Sequence, residues 1–82
     1  MFINKAKDGK NNICGKNVAK YRTALHISQR ELADQMQLAG LDIDKNAIQR
    51  IEAGKRFVTD IEIIALAEVL QKSLPALLFG EE

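Results

Sequence analysis

The one cysteine and the one histidine of this sequence, Cys14 and His26, are the residues best suited to metal or nucleophilic chemistry, and neither has the company it needs. A structural zinc site takes four ligands, usually cysteine and histidine in closely spaced pairs. One of each does not make a site. No serine, cysteine or histidine stands in a recognisable triad pattern, and no glycine-rich loop is present to cradle a phosphate. An enzyme is therefore not expected, nor a cofactor or a metal. Cys14 reads as a structural or incidental thiol. Tyr21, at helical spacing from Val18 and Leu25, reads as a core residue with its hydroxyl at the surface.

Charge offers a different chemistry. The formal net charge is only +1, which alone argues weakly against a nucleic-acid partner. Its distribution says more. Up to Arg30 the chain carries seven Lys and Arg against one acid, Asp8; from Glu31 onward it carries five against ten. Such an asymmetry can build a basic face on a protein that is nearly neutral overall. Other bulk properties bound the class. The 82 residues suffice for one modest core, and no apolar run approaches the length of a membrane span. A polar start (Asn4, Lys5, Lys7, Asp8) does not suit a secretory segment, and a single cysteine suits a reducing compartment, so a cytoplasmic location is expected.

The elements that would position such a face are helices. Apolar residues recur at helical spacing through Val18, Tyr21 and Leu25, then Leu32, Ala33 and Met36, then Ile48 and Ile51. Ile63, Ala67 and Leu70 continue the pattern, and Leu74, Leu77 and Leu78 end it. Helix starts are marked by capping boxes at Ser28–Glu31 and Thr59–Glu62, by Asp44, and by Ser73 ahead of Pro75. Gly40 and Gly54 fall where helix ends need a left-handed residue. The expected fold is all-α: a bundle of about five short helices, near 16–25, 29–39, 45–53, 60–71 and 74–79, behind a polar, basic arm at 1–14. The small Ala33 would let the second and third helices cross closely, as a helix-turn-helix requires.

The ordered set Arg22, Ser28-Gln29, Leu32-Ala33, Ile48, Ile51-Glu52 and Gly54-Lys55-Arg56 resembles the lambda-repressor-like, Cro-type (XRE) helix-turn-helix family, over roughly residues 15–79. One departure stands out. The stretch from Gln37 to Ala47 is longer than the usual tight turn, and it reads as an extra helical turn ending at Gly40 followed by an apolar lip, Leu41-Asp42-Ile43. The resemblance implies a DNA-binding regulator whose third helix enters the major groove of an operator. Carried over by position, Lys45, Asn46 and Gln49 would read bases, while Gln29, Lys55 and Arg56 would contact the DNA backbone and Gln29 would brace the third helix. Arg50 lies a turn farther along and could be either a DNA contact or a solvated side chain on an exposed face. The resemblance also implies a partly buried, structural ion pair between Arg22 and Glu52. A homodimer through the apolar last helix (Leu74, Leu77, Leu78, Phe79) is a further expectation, as repressors of this family often dimerise there. Lys5, Lys7 and Lys10 could follow DNA; equally the arm could be disordered, or Phe2 and Ile3 could pack onto the bundle. The competing reading is an antitoxin-like or anti-repressor module whose partner is another protein.

Overall fold

The computed structural model describes residues 4–81, and Phe2 and Ile3 lie outside that range. Five helices follow one another: α1 (Gly15–Ala24), α2 (Gln29–Leu38), α3 (Lys45–Glu52), α4 (Asp60–Leu70) and α5 (Leu74–Phe79). The described residues contain no strand.

Each start is written locally. Ser28 accepts a hydrogen bond from the Glu31 N–H while the Glu31 carboxylate accepts from the Ser28 N–H, and Thr59 with Glu62 repeats the arrangement. Asp44 accepts from the Ala47 N–H and Ser73 from the Ala76 N–H. Such caps contribute about 1 kcal/mol each. The ends are equally regular. At α2, the Gly40 N–H donates to the Gln37 carbonyl and the Leu41 N–H to Met36, with Gly40 at φ +91°. At α1 and α4 the left-handed position is filled by His26 and Gln71 rather than glycine.

Packing then fixes the order. Val18 and Tyr21 of α1, Leu32, Ala33 and Met36 of α2, Ile48 and Ile51 of α3, Leu66 and Leu70 of α4, and Leu77 of α5 form one core with almost no exposure. α3 packs on α1 and α2, and α5 closes on α1 and α4. The long connection between α2 and α3 is not slack. The second helix stops at Leu38, and Ile43 is buried in the core while Leu41 packs against that core. The Gln37 side chain donates to the Ile43 carbonyl and holds the lip in place. The apolar lip is thus a plug for the core.

Two expectations need correcting. Tyr21 does not bring its hydroxyl to the surface; the residue is buried and the hydroxyl donates to the Ala76 carbonyl across α1 and α5. Leu77 is fully buried in the chain's own core and is not free to form an intermolecular contact. One close approach is demanding. A Cβ at Gly15, the first residue of α1, would collide with the carbonyl oxygen of Ile51 near the end of α3, a backbone atom that cannot easily give way. Gly15→Ala should destabilise the fold by about 1–3 kcal/mol, the usual cost of overpacking. In a domain of this size that lowers the melting temperature by roughly 4–8 °C per kcal/mol in a thermal unfolding scan. An unchanged melting temperature would show that α1 and α3 do not meet this closely.

Candidate nucleic-acid interface

The third helix is eight residues long, too short to persist alone in water. Its inner side supplies the anchor: Ile48 and Ile51 are fully buried. A turn of 100° per residue then sends Lys45, Asn46, Gln49 and Arg50 outward, and all four are exposed. Three of these are the residues carried over as base readers. They share one face, with a cation and two amides that can both donate and accept.

The end of α3 is held by a polar network. Arg22 Nε donates to Glu52 Oε2 at 2.7 Å and a second guanidinium nitrogen donates to Oε1 at 3.2 Å, forming a forked pair. The remaining Arg22 nitrogen donates to the Ile27 carbonyl in the α1–α2 turn. Gln29, the first residue of α2, donates from its amide to the same Glu52 Oε1 at 3.0 Å. One carboxylate therefore joins three helices. The Gln29 side chain thus reaches from the start of α2 to the end of α3.

After α3 the chain turns at Gly54 and runs through Lys55 and Arg56. Lys55 is exposed. Arg56 is more occupied: two of its nitrogens meet the two Glu62 oxygens at 2.9 and 3.0 Å, and one of them also donates to the Phe57 carbonyl. Glu62 thus serves twice, completing the α4 capping box and holding the loop. The guanidinium and the local hydrogen bonds keep the Glu62 carboxyl below its ordinary pKa, and the carboxylate raises that of Arg56.

Asn12 plays a part that sequence reasoning missed. Its amide nitrogen donates to the Ile51 carbonyl at 3.1 Å and to the Arg56 carbonyl at 2.7 Å, while its oxygen accepts from the Gly15 N–H at 2.8 Å. It clips the segment before α1 to both ends of the turn after α3. Asn17, also missed, is buried and donates to the Leu77 carbonyl. These partners lie about 40–60 residues away in sequence, beyond any local pattern. Cys14 is buried just before α1, and burial pushes its thiol up to about 11, which favours the protonated form over the nucleophilic thiolate.

Two outcomes test this geometry. Glu52→Ala strands a partly buried guanidinium and should cost about 2–3 kcal/mol in urea unfolding; a loss below 0.5 kcal/mol, the scatter of ordinary surface changes, would make the network ornamental. Because the Glu62 pKa is lowered in the folded state, its contribution is present above the ordinary carboxylate range, about pH 4.3, and is lost as pH falls through the lowered value. Glu62→Gln should therefore flatten the acid limb of the stability–pH curve. A limb as steep as that of the unaltered protein would contradict the pairing with Arg56.

The sequence profile of the helix-turn-helix family matches residues 18–77. No curated protein and no solved structure gives a significant match. The matched span runs from Val18 in α1 to Leu77 in α5, taking in the forked pair, the braced third helix and its outward face. The chain belongs to the Cro- and lambda-repressor-type (XRE) helix-turn-helix family, whose fold is a DNA-binding domain of the transcription-regulator kind.

Proposed function

We propose that the protein is a sequence-specific transcriptional regulator, acting in the cytoplasm as a repressor that occupies an operator and excludes other proteins from it. The observation that carries this reading is the outward face of α3, where Lys45, Asn46 and Gln49 stand exposed at the start of a helix anchored from behind. Asn46 and Gln49 can each pair bidentately with adenine, and Lys45 can donate to the guanine edge. Arg50 extends the same face toward the backbone. The start of α2 suits a phosphate: beyond the capping box the N–H groups of Gln29 and Arg30 have no partner within the helix, and the helix dipole favours an anion there. Lys55 is a backbone contact on the far side, and Arg56 joins it with the donors that Glu62 leaves over.

The dimer part of the reading rests on a reduced surface. With Leu77 in the core, a two-fold contact through α5 would use Leu74 and Phe79, which are exposed, and the half-buried Leu78. Reading helices would then lie about 34 Å apart, one turn of DNA. A protein partner is the second reading, and a separate feature favours it. Ile61 and Ile64, three residues apart on one face of α4, are 67% and 49% exposed. An antitoxin-like or anti-repressor module would use such a face.

Selection from random duplex DNA should enrich one short motif, and an inverted repeat of it if α5 forms the dimer. Gln49→Ala should then relax the preference at one base pair by about 1–3 kcal/mol while the other positions keep theirs. Selection that enriches nothing would overturn the regulator and leave the protein-binding module in its place.

A further inference from the structure

The segment before α1 is fastened to the loop that follows the third helix, and the fastening determines what its lysines can reach. The Asn11 N–H donates to the Gly54 carbonyl at 2.8 Å, and the Asn11 side chain donates to the Lys55 carbonyl at 3.0 Å. Asn12 adds the bond to the Arg56 carbonyl. Lys10 lies across Gly54: a Cβ there would come within 3.0 Å of three carbons of the Lys10 stem. Behind it the chain folds back in a closed turn, with the Ala6 N–H on the Lys10 carbonyl, the Gly9 N–H on the Ala6 carbonyl and the Lys10 N–H on the Asp8 carboxylate. The Lys5 ammonium donates to the Asn11 side-chain oxygen at 3.2 Å.

From this arrangement we infer that residues 5–12 form a strap that adds Lys10 and Lys5 to the DNA-backbone contact made by Lys55. The inference rests on the proposed DNA reading and extends it to a surface outside the matched span of residues 18–77. Two observations carry it besides position. Lys10 and Lys55 are exposed, and no carboxylate pairs with either ammonium among the described residues. Arg56, the other cation of this loop, has its charge balanced by Glu62. The loop alone therefore presents one uncompensated charge, and the strap supplies the others. Asp8 is the acid of the strap, and one of its oxygens is held by the Lys10 N–H. Contacts of this kind neutralise phosphates and set affinity and register without reading sequence.

The test is the salt dependence of binding, measured on the selected duplex and on a scrambled one, for the full chain and for Lys10→Ala, Lys10→Arg and Asn11→Ala. The slope of log K against log salt should fall by about 1 in Lys10→Ala, with both duplexes weakened by the same factor and Lys10→Arg retaining the slope. Asn11→Ala keeps both lysines and the backbone bond to Gly54 but removes the side-chain bonds to the Lys55 carbonyl and to Lys5, loosening the strap, and should lose part of the slope with no loss of base preference. Circular dichroism melts confirm that each variant is folded; Lys10, on the surface, should leave the melt unchanged. A Lys10→Ala slope equal to that of the unaltered chain, on a selected duplex it still prefers, would overturn the strap and leave the regulator standing. Salt-dependent binding without any base preference, weakened by Lys10→Ala, would do the reverse. No DNA binding under any condition would overturn both.

Discussion

The Glu52 carboxylate is the point on which the arrangement depends. It lies in the last turn of α3, accepts two hydrogen bonds from Arg22 of α1 and one from Gln29 of α2, and is mostly shielded from water. A charge so placed is costly unless its oxygens are well satisfied, and here both are. Exposed ion pairs contribute little, but one carboxylate shared between three helices fixes angles as well as energy. The third helix has only eight residues and two buried isoleucines, so its own propensity cannot hold it. Its direction is set from the C-terminal end by charge, from the middle by Ile48 and Ile51, and from the N-terminal end by the Asp44 cap and the Ile43 plug.

The same crowding explains the small residues around it. Ala33 is buried on α2 where that helix meets α3, and Gly15 lets α1 approach the backbone of α3 without a side chain between them. Asn12 takes up the carbonyl groups that such a close end leaves behind. A helix that presents side chains to a partner needs a rigid seat, because displacement of about 1 Å spoils directed contacts, and the seat of α3 is polar at one end and apolar along its length. The outer face is free of those duties. The side chains of Lys45, Asn46, Gln49 and Arg50 are exposed and hold none of the fold together; only their main chains bond within it, as where the Ala53 and Lys55 N–H groups donate to the Gln49 and Arg50 carbonyls.

Features written in adjacent residues could be read directly from the sequence. The capping boxes at Ser28 and Thr59, the cap at Asp44 and the stop near Gly40 depend on contacts across three or four residues, and each element lies within a residue or two of its expected bounds. The Arg22–Glu52 pair, 30 residues apart, was legible only through family resemblance. The duties of Asn12 and Asn17 were not legible, since an asparagine before or inside a helix looks the same whether it faces water or a distant carbonyl. Arg56 shows the ambiguity of a single cation: a loop arginine suits a phosphate, yet Glu62, already engaged as the α4 cap, lies close enough to hold it. The left-handed His26 and Gln71 were hidden for a related reason. Glycine advertises that conformation, and other residues adopt it when a helix end is closed by its own hydrogen bonds.

The proposed DNA surface is one seated face, the outer side of α3 with the start of α2 and the loop and strap beside it, and not the bundle at large. Amide chemical-shift mapping of the isotope-labelled chain during titration with its selected duplex tests this most directly. Contact through this surface should give the largest changes at Gln29 and Arg30, along Lys45 to Arg50, and at Lys55 and Lys10, with the outer face of α4 little affected. Changes centred on Ile61 and Ile64, with Asn46 and Gln49 unmoved, would contradict it and place the working surface on the opposite reading.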